Sequence, residues 1–322
     1  MQKIIKEVDE KRGIVQVTIA DERFYFKDGK DPETHNPIMV AVPSVTWIAG
    51  HYPKGIHFYK WLAEKGWDEA EALKQAAGDK GSKVHLAISA ILSGEEVRID
   101  SKFANKSKST EEVPVFEELS FEEVECILSF VNWKKEVEQD YVLESLAWDI
   151  VVFSEIHNYA GSVDWVMRLT PKEGGKNPLK LTGPTIFVVD FKTSQYVWTE
   201  YELQVSAYRK AIENGENPIL VEAKTLDVSN MKTAILQLGY RKNKNRYKWT
   251  EIEDAFEMFL TARKIWHNEN KDVSPRKVDL PIVLSPAVKV EEALAESAPK
   301  EVPEESVDAP AAAPRPRKRP LK

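Results

Sequence analysis

The sequence predicts an α/β fold in which helices flank a central mixed β-sheet. Its second half holds five short runs rich in Val, Ile and aromatic residues, "WDIVVFSE", "GSVDWVMRL", "TIFVVDFKT", "PILVEAKT" and "TAILQLGY", the composition of buried strands. A helical segment, Glu200 to Asn214, separates the third run from the fourth, and apolar stripes at helical spacing come before them all. Strands, a helix and more strands behind N-terminal helices are the pattern of a mixed sheet with helical cover.

Taken in order, "RFYFKDGKDPETHNPIMVAV" reads as two short strands around a polar turn, so residues 1–40 are expected to be an N-terminal strand pair. "DEAEALKQAAGDKGSKVHLAISAILSGE" reads as a helix, with Asp68 and Glu71 as a capping box and Val84, Ile88, Ile91 and Leu92 as its apolar stripe. Phe121 to Asn132 reads as another helix. The helix after the third strand starts at Thr199, with Glu202 completing a second capping box, and stops at Asn214-Gly215. Residues 41–284 are then one domain. From Ser285 onward Pro, Ala and Glu replace large apolar side chains, which predicts a disordered tail over 285–322. Its acids lie in Glu291 to Asp308 and its bases, Arg315, Arg317, Lys318, Arg319 and Lys322, at the end. It is either a solubilising tail or a tether to DNA or a partner.

Composition narrows the function classes. With 42% hydrophobic and 10% aromatic residues the chain has material for a real core. A lone cysteine, Cys126, allows neither an internal disulfide nor a cysteine-held zinc or iron–sulfur cluster. No run approaches the ~20 apolar residues that cross a bilayer, so a soluble, cytoplasmic protein with no membrane partner is expected. A net charge of −7 argues against a general nucleic-acid binder. Two basic stretches answer it locally. "RKNKNRYKW" carries Arg241, Lys242, Lys244, Arg246 and Lys248 with Tyr247 and Trp249 as stacking rings, and "SKFANKSKS" spans Lys102 to Lys108. Each is either a nucleic-acid contact or a solvated turn.

The chemistry concentrates around "FVVDFKTSQYVWTEYELQVSAYRKA". Side chains alternate along a strand, so Asp190 and Lys192 share one face while Val189 and Phe191 take the other. An ammonium and a carboxylate beside an apolar run are either an ion pair or part of a site that binds an ion. Asp164, placed after a turn at Gly161, brings a second carboxylate to the sheet edge. Glu155, ending the preceding strand, is an auxiliary acid. Gln204 and Tyr208, four apart, share one face of the following helix. His85 lies beside an apolar helical stripe, the setting of a core histidine or of a ligand.

The ordered set Gly161-x-x-Asp164, Asp190-x-Lys192-Thr193 and Gln204-x-x-x-Tyr208, with His85 upstream, resembles the RecB-like branch of the PD-(D/E)XK nuclease superfamily. "VPSVTWIAGHYPKG", Val42 to Gly55, is similar to the segment that precedes this core in phage-type exonucleases and in the mitochondrial genome-maintenance exonuclease. The resemblance covers roughly Val42 to Trp249. It implies a restriction-endonuclease-like core and a metal-dependent DNA exonuclease acting on linear ends in phage-type recombination, repair or genome processing. His85, Asp164, Asp190 and the backbone carbonyl of Phe191 are then the expected ligands of Mg²⁺ or Mn²⁺, oxygen-rich donors suited to a hard cation. Lys192 orients or deprotonates the attacking water, or holds the scissile phosphate, and Gln204 and Tyr208 buttress the site or touch the DNA. The implied partners are DNA and a single-strand-binding or recombination protein, in a bacterial or phage-infected cytoplasm. The alternatives are a structure-specific or nicking endonuclease on the same fold and a catalytically silent DNA-binding subunit. The CRISPR-associated relatives carry an iron–sulfur cluster that one cysteine cannot hold. No GxxxxGK[ST] loop supplies a helicase motor.

Overall fold

The two longest alternating runs, β7 (Tyr141–Ser154) and β8 (Tyr159–Pro171), fold back on each other through a turn in which Asn158 adopts a φ of 48°. In the computed structural model this hairpin forms one side of the central sheet. The structure describes residues 3–9, 13–19, 22–30, 34–35, 37–105, 108–109, 114–214 and 231–271. These fall within one compact unit, Met1–Lys277.

Before the hairpin come β1 (Lys3–Asp9), β2 (Ile14–Ile19), β3 (Glu22–Lys30) and β4 (Pro37–Val42), then α1 (Val45–Gly50), α2 (Ile56–Lys65) and α3 (Trp67–Leu92). A ribbon of β5 (Lys102–Ala104) and β6 (Phe116–Glu118) leads into α4 (Phe121–Asp140). After it come β9 (Thr185–Lys192), α5 (Thr199–Glu213), β10 (Met231–Leu238), β11 (Tyr247–Ile252) and a closing helix, Phe256–Glu269, here α6. The central sheet has five strands in the order β11-β10-β9-β8-β7. It is mixed: β9 and β10 run parallel and the other neighbours antiparallel. Antiparallel neighbours need only tight turns, whereas a parallel pair needs a crossover, and α5 lies within it.

Both faces of the sheet are covered. β9 sends Ile186 and Val188 into a core with α1, α5 and α6, and Phe187, Val189 and Phe191 into a second core with α3 and α4. That is why its apolar run is nearly continuous, and each such side chain contributes about 1.5–3 kcal/mol on burial.

Several local expectations are corrected. The N-terminal strand pair is half of a four-stranded antiparallel sheet, β1-β2-β3-β4. α3 begins at Trp67 after Gly66, whose φ of 74° breaks the chain from α2, so Asp68 lies inside the first turn and its side chain is no cap. There an acid still favours the positive end of the helix dipole. α5 begins at Thr199 behind an extended Trp198, with no side-chain cap. The capping box that does form is Ser120 with Glu123, and it starts a helix that runs to Asp140, beyond the expected Asn132. Gly161 is no turn but lies inside β8. β11 and α6 were not foreseen, and neither were α1 and α2 as helices. The "PILVEAKT" strand and the tail from Ser285 lie outside the described residues. Among the described residues no helix is long and apolar enough to cross a membrane.

Candidate active site

The pairing of β8 with β9 ends at Trp165 opposite Val189, and beyond it the two strands part. The backbone N–H of Phe191, which no longer meets a strand partner on that side, donates to Asp164 Oδ2 at 2.7 Å. A sheet edge is thereby opened by a carboxylate, and the candidate residues gather there.

Asp190 and Lys192 share one face of β9, as alternation requires. Lys192 Nζ lies 2.6 Å from Asp190 Oδ2, a buried ion pair. The other oxygen, Oδ1, accepts from Gln204 Nε2 at 3.1 Å. The same amide donates to Tyr208 Oη at 2.8 Å, and Lys192 donates to Gln204 Oε1 at 3.4 Å. Gln204 and Tyr208 therefore act from one face of α5, one turn apart, as the spacing predicts. On the other side, His85 of α3 places Nδ1 3.1 Å from Asp164 Oδ1 and Nε2 3.0 Å from the carbonyl oxygen of Phe191. Both neighbours are acceptors, so the arrangement calls for a proton on each ring nitrogen.

Exposure rises across the cluster, from 2% for the Asp190 side chain to 32% for His85, so the His85 side is the open one. The electrostatics follow this gradient. Burial, with the nearby Asp164 charge, pushes the Asp190 carboxyl up to about 6 against the pull of Lys192. Burial also works against charge on the other three, but there the neighbours win. The Asp164 carboxylate holds His85 above its ordinary value, Asp190 and Asp164 hold Lys192 above its own, and His85 with Lys192 and the Phe191 N–H keeps Asp164 below the usual carboxyl range. The buried Tyr208 hydroxyl is pushed well up by desolvation and stays neutral.

The scaffold explains two sequence features. A Cβ at position 161 would sit 2.5 Å from the Tyr208 ring and 3.2 Å from Val45, so glycine is what lets α5 and α1 close onto β8. Tyr159 Oη donates to the Ala207 carbonyl at 2.8 Å and fixes α5 at the same level. In the "VPSVTW" segment, Ser44 caps α1 by accepting from Trp47 N–H at 3.0 Å, while the Pro43 carbonyl accepts from Ala160 N–H at 3.0 Å.

Not every expected residue joins the cluster. Glu155 is exposed in the β7–β8 turn. At ~3.3 Å per strand residue, Asp164 lies about 17 Å along β8 from that end. The basic β10–β11 turn is partly neutralised, because Arg246 reaches Glu125 at 2.7 Å and Arg241 reaches Glu122 at 3.8 Å on α4. Lys242, Lys244 and Lys248 remain exposed. The second basic stretch is also held by acids, Lys108 by Glu117 at 2.6 Å and Lys102 by Glu118 at 3.7 Å. Sequence reasoning missed Tyr201, whose ring lies 4.5 Å from Lys192 Nζ. An aromatic in the first turn after an Asp-x-Lys strand was the available signal.

Among the described residues no three His, Cys, Asp or Glu side chains are disposed around a common point to hold a metal ion. The expected ligands instead satisfy one another, His85 against Asp164 and Phe191, Asp190 against Lys192. Their donor chemistry nevertheless fits a hard divalent cation. Two carboxylates and a carbonyl oxygen gather around positive charge that the protein itself supplies at Lys192 and His85. No protein-family model matches the chain, and no curated protein matches it.

Proposed function

We propose that the protein is a metal-dependent DNA exonuclease of the RecB-like PD-(D/E)XK kind, and that its five-stranded sheet is the restriction-endonuclease-like core that the sequence resemblance implies. One observation carries the reading. The buried Asp190, ion-paired with Lys192 at 2.6 Å, lies at the parted end of β8 and β9, where Asp164, His85 and the Phe191 carbonyl also meet.

A bound Mg²⁺ or Mn²⁺ would lower the pKa of a water and neutralise charge growing on the phosphate. Asp164, Asp190, His85 and the Phe191 carbonyl would hold it, with His85 giving up a proton to do so. Lys192, kept charged by two carboxylates, is better suited to holding the scissile phosphate and orienting the water than to removing a proton. Gln204 fixes the Asp190 carboxylate and reads the state of Lys192 through its other end. Tyr208, neutral and buried, holds Gln204 in that orientation.

The test is incubation of the full chain with end-labelled linear and covalently closed circular DNA in Mg²⁺, Mn²⁺ or EDTA. Short products from linear DNA only, with Mn²⁺ at least as effective as Mg²⁺ and nothing in EDTA, are expected. Activity in excess EDTA would remove the metal from the mechanism, and circles cut as fast as linear DNA would make the enzyme an endonuclease.

A further inference from the structure

The loop between β9 and α5 exposes two large aromatic side chains beside the site. Tyr196 is 61% and Trp198 49% exposed, and their ring centroids are 5.9 Å apart. Exposed rings on a loop are ordinary when the loop is loose. This one is braced. Gln195 donates to the Gly239 carbonyl at 3.0 Å and accepts from the Arg241 N–H at 2.9 Å. Gln237 donates to the Ser194 carbonyl at 3.0 Å, and Ser194 Oγ donates to the Tyr196 carbonyl at 2.8 Å. The loop is thus tied to the end of β10 and to the start of the basic turn, and its rings are held in the open.

Charge lies at both ends of the row. Lys242 Nζ is 5.8 Å from the Tyr196 ring centroid, and Lys192 Nζ is 4.5 Å from that of Tyr201, which lies in the first turn of α5. Aromatic faces placed between cations are the arrangement that receives bases and phosphates of an unpaired strand, since every base has a face to stack and each phosphate a charge to meet. A duplex keeps its base faces covered except at the terminal pair, so it offers a row of rings far less to stack on than an unpaired strand does. An uncharged protein surface would gain from the rings but not from the cations flanking them. Tyr196 is four residues from Lys192, at most ~14 Å along the chain, so a strand stacked on it leads its next phosphates toward Asp190 and Lys192.

We infer that Tyr196 and Trp198 form a stacking platform for single-stranded nucleic acid, which feeds an unpaired end into the site and makes single strands the preferred substrate. This rests on the nuclease reading above and adds to it the substrate's strandedness.

The experiment is fluorescence anisotropy of labelled oligo(dT) and of a blunt duplex with the full chain in EDTA, where hydrolysis is stopped, beside cleavage assays in Mn²⁺. Tyr196→Ala and Trp198→Ala are each expected to weaken oligo(dT) binding about ten-fold or more, with duplex binding unchanged. Tyr196→Phe and Trp198→Phe, which keep a ring, are expected to restore it. Wild-type oligo(dT) affinity in both alanine variants overturns the platform, while Mn²⁺-dependent cleavage by the wild type leaves the nuclease reading standing. Equal loss on duplex and single strand, or failure of the phenylalanine variants alongside the alanine ones, also overturns it, since the rings would then be scaffold. A wild-type chain that neither binds oligo(dT) nor cleaves DNA overturns both readings.

Discussion

Two residues of α3, Lys83 and His85, enter two buried charge clusters that are built differently. Lys83 meets Glu123 Oε2 at 3.0 Å, Glu117 Oε2 at 3.6 Å and the Glu118 carbonyl at 3.5 Å. Glu123 accepts in turn from the Ser120 N–H at 2.7 Å, as part of the box that starts α4. No buried polar atom of Lys83, Glu117 or Glu123 is left without a partner. In the His85 cluster Asp190 has Lys192 at 2.6 Å, yet burial and the nearby Asp164 charge still push its carboxyl up to about 6. The first cluster closes a helix start onto its neighbour. The second keeps a carboxylate where its ionisation costs stability, and that is the difference between the two.

The comparison breaks most sharply on turnover. Lys192→Ala is expected to lower single-turnover cleavage by roughly 10²–10⁴-fold while calorimetric Mn²⁺ binding survives, whereas Asp190→Ala loses both. Near-wild-type cleavage by Lys192→Ala would make the pair an ion pair like that of Lys83. Lys83→Ala, by contrast, leaves the buried Glu123 without its counter-ion, and is expected to cost about 3 kcal/mol of unfolding free energy by urea titration. A loss below about 1 kcal/mol would show that this cluster is not holding α4.

The third test uses pH. The folded Asp190 carboxyl sits above its ordinary value of 3.8, at about 6, so the folded chain binds its proton more tightly than the unfolded chain does. That contribution is complete below the ordinary value and is lost as pH rises through about 6. Asp190→Asn cannot ionise and keeps it. Without metal, the variant is expected to be more stable than wild type at pH 8, by on the order of 3 kcal/mol, and to match it near pH 4. Equal stability at both pH values would place the Asp190 cluster in the same class as the Lys83 one.

What the sequence made legible follows from where the information is local. Asp190, Lys192, Gln204 and Tyr208 were readable because strand and helix periods fix their faces within a few residues. The contacts of His85 with Asp164 and Phe191 follow from no period. They depend on β8 and β9 parting beyond Trp165, a property of two strands together. The caps misled for a related reason: Thr199 with Glu202 has the right spacing, but the extended Trp198 displaces the start by one residue. The basic turn seemed wholly available because the acids that meet Arg241 and Arg246 lie more than a hundred residues earlier, on α4.

The parallel join of β9 to β10 has a consequence for synthesis. β7, β8 and β9 pair with their sequence neighbours, so these strands can form as they leave the ribosome, together with Asp164, Asp190 and Lys192. β10 pairs with β9 only after α5 and the rest of the crossover have been made, and such non-local closure comes late. Gln237 and Gly239, which brace the aromatic loop, arrive with it. The nascent chain therefore carries Asp164, Asp190 and Lys192 before the loop that Gln237 and Gly239 brace is fixed, so the acidic cluster and the aromatic loop beside it are completed at different stages of synthesis.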